Sequence, residues 1–377
     1  MRRAGLIVNP AAGMGGSVAL KGTDGVYHEA RRRGARPTAP ARAVRTLRTL
    51  RSLAPDVLVL TCARPMGQDE VSTAGLAVEA LLPVGDPTTA QDTRRAATAM
   101  IERGVDLLLF VGGDGTATDV HTAVDQRLPV LGIPAGVKMH SAVFAQTPEA
   151  AGMLAARHLT GRTTGLDHRE VMDVDEELLR TGVLAPRLLG YLEVPRDGAL
   201  LQQPKRRASN VDGERRALGR AVAAELAPGA LVAVGPGTTA GAVMETFGLD
   251  HTLLGFDLIR DGRLVAADVQ ERDLLAHADE LHVVLAPTGG QGFLLGRGNQ
   301  QLSPAVLRRI PQQRILIVAV LERLASLQGQ PLLIDVDDPE VAGALCGMRR
   351  ILTGPGRAAV YPVEAPSLAS VKSCGMR

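Results

Sequence analysis

Residues 108–116 read LLFVGGDGT, an apolar run that stops on three glycines, Gly112, Gly113 and Gly115, surrounding one acid, Asp114. Such a carboxylate is either an ordinary turn residue at a strand end or a reactive group where backbone must touch a ligand. Glycine removes the side chains that would hold a ligand off. It also lets successive N–H groups aim at one anion, and a helix that follows adds its N-terminal dipole. Three more stretches carry the same chemistry: NPAAGMGGS at 9–17, GPGTTAG at 235–241, and PTGGQG at 287–292 continuing to GRGNQQ at 296–301. Phosphate is the anion such loops suit. Any one of them alone is as well explained by a structural turn; four in one chain point to a phosphorylated ligand.

Several fingerprints are missing. GxxxxGK[ST] is absent, and residues 13–18 read GMGGSV rather than GxGxxG, so neither a P-loop nor a standard dinucleotide Rossmann site is expected. HExxH and GxSxG are absent too, and the eight histidines do not cluster at metal-ligand spacing; no metal ligand is identified. The three cysteines, Cys62, Cys346 and Cys374, have no CxxC spacing, which argues against a disulfide framework or zinc site. A net charge of +2 and 2% aromatic residues leave nothing to attract or stack nucleic acid. No apolar run reaches the length of a membrane span, and the four-residue run after Arg2-Arg3 is too short for a signal peptide. A cytoplasmic chain, acting as a homo-oligomer on small molecules, is the expectation.

The glycine loops need elements to hold them. Gly5–Val8, Val57–Cys62, Val105–Val111 and Val130–Ile133 read as buried strands, with helices over 87–103 and 116–126 between the later ones. This alternation with short joins predicts a parallel α/β sheet over residues 1–136. Past Gly136 the runs at 171–174, 188–194, 230–234, 252–259, 263–267 and 281–285 are strand-like, so a β-rich domain is expected over 137–305. Residues 196–220 read as a polar loop opening into a helix. The segment 306–377, with strands at 315–320 and 332–335 and a helix at 321–328, returns to α/β rhythm and is expected to pack back on the first domain. Its tail past 364 reads as frayed.

GGDGT after an apolar strand resembles the signature of the superfamily that holds NAD kinases, diacylglycerol kinases and 6-phosphofructokinases. Asn9-Pro10-Ala11-Ala12-Gly13 resembles its first-strand loop, and GIPAGVKMHS at 132–141 the loop one βα unit beyond GGDGT. GPGTTA at 235–240 sits where NAD kinases carry a threonine-rich loop. GGQG at 289–292 with GRGNQQ is similar to the ATP-NAD kinase-like branch that includes the acetoin-catabolism X proteins. The likeness covers most of residues 4–355.

It implies an NAD kinase-like fold, an α/β domain followed by a β-rich one, with the active site between them. It also implies transfer of a phosphoryl group from ATP or polyphosphate, with a divalent cation such as Mg²⁺, to the adenosine ribose 2′-hydroxyl of NAD. Asp114 would be the base that takes the hydroxyl proton. Asn9, Gly112, Gly113, Gly115, Thr116, Lys138, His140, Ser141, Gly237, Thr238, Thr239, Gly289, Gly290, Gln291 and Asn299 would bind nucleotide or phosphate. Plainer roles stand beside these: Ser141, Thr238 and Thr239 as helix caps, Asn299, Gln300 and Gln301 as a hydrated turn, Asp119 as a solvated or capping acid, His121 and His158 as structural. Where NAD kinases hold adenine with an Asn-Glu pair, this chain reads Leu189-Gly190-Tyr191-Leu192-Glu193. Two alternatives therefore remain open: a kinase acting on another hydroxylated small molecule or lipid, and a nucleotide-binding regulator without turnover.

Overall fold

The computed structural model describes residues 2–20, 22–23, 25–85, 87–137, 139–163, 165–174, 186–197, 200–201, 212–288 and 292–365. They pack as two units. The first holds residues 1–14 and 22–204, the second 15–21 and 205–366.

In the first unit a five-stranded sheet runs β3 (Ala77–Ala80), β2 (Leu58–Thr61), β1 (Arg3–Val8), β4 (Leu107–Gly112), β5 (Val130–Pro134), in that spatial order and parallel at every pair. Every residue of β4 and β5 is buried, the pattern of strands covered on both faces. The covering helices are α1 (Tyr27–Arg32), α2 (Ala39–Leu53), α3 (Gln68–Ala74), α4 (Ala90–Glu102), α5 (Asp114–Val124) and α6 (Pro148–Leu159). α4 starts where Thr89 and Asp92 form a reciprocal capping box, and α6 where the Thr147 hydroxyl accepts from Ala150 N–H and Pro148 fills the first turn. Phe110, fully buried two residues before the glycines, meets Phe144 edge-on with centroids 5.4 Å apart. Gly132 makes room for that ring, since a Cβ there would lie 2.4 Å from Phe144. Burial of one such ring contributes about 1.5–3 kcal/mol, so the end of β4 is firmly anchored.

A hairpin of β6 (Leu166–Val174) and β7 (Pro186–Pro195) completes this unit. The expected boundary at residue 137 therefore does not hold. α5 packs on the hairpin, and Val171, Leu192, Val194, Leu200 and Leu201 join the same core as β1, β4 and β5. These strands lack a core of their own, which is why strand content alone misplaced them.

The second unit is mostly sheet. Nine strands lie in the order β10 (Arg263–Val269), β9 (Phe256–Arg260), β8 (Leu231–Val234), β11 (His282–Leu285), β13 (Ile315–Val318), β15 (Gly347–Gly354), β16 (Arg357–Glu364), β14 (Leu332–Ile334), β12 (Phe293–Leu295). α7 (Asp212–Glu225) and α8 (Thr238–Thr246) bury Leu218, Val222, Val243 and Met244 on one face. α9 (Glu271–His277) and the short helices near 304–307, 321–325 and 339–345 cover the other. The strands of the segment from 306 to 365 belong to this sheet. β13 pairs in parallel with β11, Val283 opposite Ile315, and β15 with β13. The tail past residue 365 lies outside the described residues, as do 202–211 of the predicted polar loop.

Candidate active site

The strand order of the first sheet decides where a ligand would sit. From β1 the chain moves outward through β2 to β3, then crosses back to β4 beside β1 and moves the other way to β5. Neighbouring loops after β1 and β4 therefore diverge, leaving a crevice at their carboxyl ends, the position at which open α/β sheets bind ligands. Those two loops are the first glycine-rich stretch and GGDGT.

Three loops of this unit are knitted together there. Asn9 donates its backbone N–H to Val111 C=O at 3.0 Å. Its side-chain amide accepts from Ala11 N–H at 3.1 Å and donates to the Thr116 hydroxyl at 2.9 Å. The N–H groups of Ala135 and Gly136 both donate to Gly112 C=O, at 2.9 and 3.1 Å. Steric space dictates the glycines. A Cβ on Gly112 would lie 2.3 Å from the Thr116 hydroxyl oxygen, and one on Gly136 would lie 2.8 Å from Gly113 Cα. Gly13 has φ +79°, and its Cβ would meet Ala135 C=O at 2.2 Å. Arg42 on α2, buried, donates to Pro134 C=O at 3.0 Å and holds the end of β5 from behind. Sequence reasoning passed over Arg42; nothing about its spacing distinguishes it from the other arginines of that helix.

Asp114 occupies the first position of α5 after the extended Gly113 and is 9% exposed. Both of its oxygens are engaged: Oδ2 accepts from His140 N–H at 2.7 Å and Oδ1 from Ser141 N–H at 2.9 Å. Charge-assisted bonds of this kind are roughly twice as strong as neutral ones, and they fix the carboxylate at the crevice. Gly115, next to it, is exposed. Asn9, Gly112, Gly113, Asp114, Gly115, Thr116, His140 and Ser141 thus lie in one cluster, while Lys138 falls outside the described residues. Ser141 caps no helix, for none begins there. Asp119 is ion-paired with Arg94 at 2.8 Å. The His121 ring packs on Gly190, where a Cβ would lie 2.5 Å from Nε2, and His158 Nδ1 meets the Thr163 hydroxyl at 3.2 Å. Burial lowers the His158 pKa.

The other site residues lie in the second unit. Gly237, at φ +95°, is the N-cap of α8 and donates its N–H to Leu253 C=O at 2.9 Å. Thr238 is exposed and opens the helix, with Thr239 half-buried behind it; neither occupies the cap position, which corrects the capping role considered for them. Gly289, Gly290 and Gln291 lie outside the described residues. Asn299 closes a turn, accepting from Gly296 N–H and donating to Leu294 C=O, each at 2.8 Å. Beneath that turn Arg297 and Asp335 form a buried ion pair at 3.0 Å, and the Arg297 guanidinium lies 4.7 Å from the Phe293 ring centre. In the same unit Gly16 backs onto Gln300, and Ser17 C=O accepts from Glu271 N–H.

Two family models match the chain. Residues 4–163 match the ATP-NAD kinase N-terminal domain and residues 230–363 the ATP-NAD kinase C-terminal domain. The chain belongs to the ATP-NAD kinase family. No curated protein matches closely enough to carry a finer assignment. The family places the chain among kinases that use ATP and NAD, and the two matched domains coincide with the parallel α/β sheet and the mostly-sheet unit. Among the described residues of this ATP-NAD kinase family member, no helix is long and apolar enough to cross a membrane. Nor do three His, Cys, Asp or Glu side chains gather there as a metal cage.

Proposed function

We propose that the protein transfers the γ-phosphoryl group of ATP to the 2′-hydroxyl of the adenosine ribose of NAD, forming NADP and ADP. The observation that carries this reading is Asp114: a buried carboxylate at the sheet's switch point, flanked by glycines, of which Gly112 has no room for a Cβ beside the Thr116 side chain. The ribose hydroxyl is a weak nucleophile near neutral pH. Asp114 takes its proton as the hydroxyl oxygen forms a bond to the γ-phosphorus, and the bond from that phosphorus to the β,γ-bridging oxygen breaks. Bound Mg²⁺ would neutralise charge on the triphosphate. Thr116 accepts from Asn9, which leaves its own hydroxyl proton to donate to a phosphate oxygen. Gly112, Gly113 and Gly115 keep side chains away from the incoming ribose, and the head of α5 favours negative charge nearby.

Incubation with Mg-ATP and NAD, followed by enzymatic assay for NADP, tests this. Wild-type protein should form NADP and the Asp114→Ala variant should not. Absence of NADP with ATP and with polyphosphate would remove the proposal.

A further inference from the structure

We infer that Ser141 is a positioning residue for Asp114, acting through the backbone of residues 140–142; this rests on the reading of Asp114 as the catalytic carboxylate. Ser141 is 1% exposed, and its hydroxyl is committed inside the protein. Oγ accepts from Met172 N–H at 3.0 Å and donates to Met172 C=O at 3.3 Å. Met172 lies at the irregularity of the β6–β7 hairpin, where the register slips between Val171 opposite Gly190 and Met172 opposite Leu188. At that slip the backbone groups of Met172 turn to the serine hydroxyl. One residue on, Ala142 N–H donates to Glu170 C=O at 2.8 Å. Residues 141–142 are therefore stitched to β6 on one side. On the other, His140 and Ser141 direct their N–H groups at the two oxygens of Asp114.

The consequence is a relay. Two N–H groups help orient the carboxylate, they lie on residues 140 and 141, and that segment is tied to β6 by the Ser141 hydroxyl and by Ala142 N–H. An alanine at 141 keeps both N–H groups but releases Met172, leaving Ala142 N–H as the remaining tie named here between this segment and β6, so the pair of donors can shift. A shift of about 1 Å in a reacting group can cost on the order of 100-fold in rate. The serine hydroxyl would act on the chemical step and leave substrate binding alone.

Two measurements test this. In steady-state NADP formation, Ser141→Ala should lower kcat roughly tenfold or more, with KM for NAD and ATP within about twofold. Added to Asp114→Ala, it should cause no further loss. A wild-type kcat in Ser141→Ala, or a loss carried wholly by KM, overturns the inference. The second measurement needs neither turnover nor a folded Ser141 variant: native-state hydrogen exchange of the wild type and Asp114→Ala. The amides of His140, Ser141 and Met172 should lose protection together when the carboxylate is removed. If Met172 keeps its protection while 140 and 141 lose theirs, the relay is absent. Should wild-type protein make no NADP, the proposed reaction fails on its own, and the exchange result still decides the link.

Discussion

Replacing Asp114 by Asn changes one atom in a site where both carboxylate oxygens accept backbone N–H groups, 2.7 Å from His140 and 2.9 Å from Ser141. Asparagine offers one acceptor oxygen and one NH₂ group. Whichever way the amide is turned, one backbone N–H faces another donor in a pocket where the native side chain is 9% exposed. Leaving a buried donor unsatisfied costs about 1–3 kcal/mol, and the surviving bond loses its charge assistance. For a unit of roughly 200 residues, a cost of about 2 kcal/mol lowers Tm by about 4–8 °C. The same substitution removes the base, worth about 10²–10⁴ in rate. Thermal unfolding followed by fluorescence of an extrinsic dye, beside NADP formation in the same preparations, reads both. A Tm within about 1 °C of wild type would refute the carboxylate's structural engagement, and retention of more than about a tenth of wild-type NADP formation would refute its role as base.

Other consequences are independent of that site's chemistry. Glu70 is 8% exposed with Oε2 lacking a hydrogen-bond partner, and burial raises its pKa. An acid whose folded pKa lies above its unfolded value of about 4.3 destabilises the fold progressively as pH rises through that window. Glu70→Gln should therefore raise Tm at pH 7–8 and make no difference near pH 4; equal Tm curves across pH contradict this. Gly13→Ala forces a left-handed backbone angle on alanine and puts its Cβ 2.2 Å from Ala135 C=O. It should cost more than the usual 1 kcal/mol or so of a strained glycine site, and urea unfolding with an unshifted midpoint would exclude it. Removing Asp335 from its buried pair with Arg297 should destabilise the second unit by about 3–5 kcal/mol, measured by urea unfolding. Arg297→Met combined with Asp335→Leu should recover most of that loss.

Strand character and glycine placement were legible in the chain because both are local. The buried runs ending at Val8, Val111 and Ile133 appear as β1, β4 and β5, their ends within one residue and their starts within two, and Gly104 follows the helix that ends at Glu102. The convergence of Asn9, GGDGT and residues 132–141 was legible only through the family likeness, since nothing local says that β1 and β4 are neighbours. What stayed hidden depends on tertiary context. The β6–β7 hairpin has the strand pattern of the second unit, yet its apolar face completes the first core. Ser141 resembles a cap by residue type, but its hydroxyl meets a backbone 31 residues away, a separation no periodicity encodes. Asn299 has an amide suited to reading a base edge and spends it closing its own turn.

The most direct test of the account is the site of phosphorylation. Wild-type protein is incubated with Mg-ATP and NAD, and the products are resolved by ³¹P NMR and mass spectrometry. The account predicts one new phosphomonoester on the adenosine ribose 2′-oxygen, with one ADP formed for each NADP, and no such signal from Asp114→Ala. ADP release without a phosphorylated NAD, or an equal yield from the variant, would contradict it.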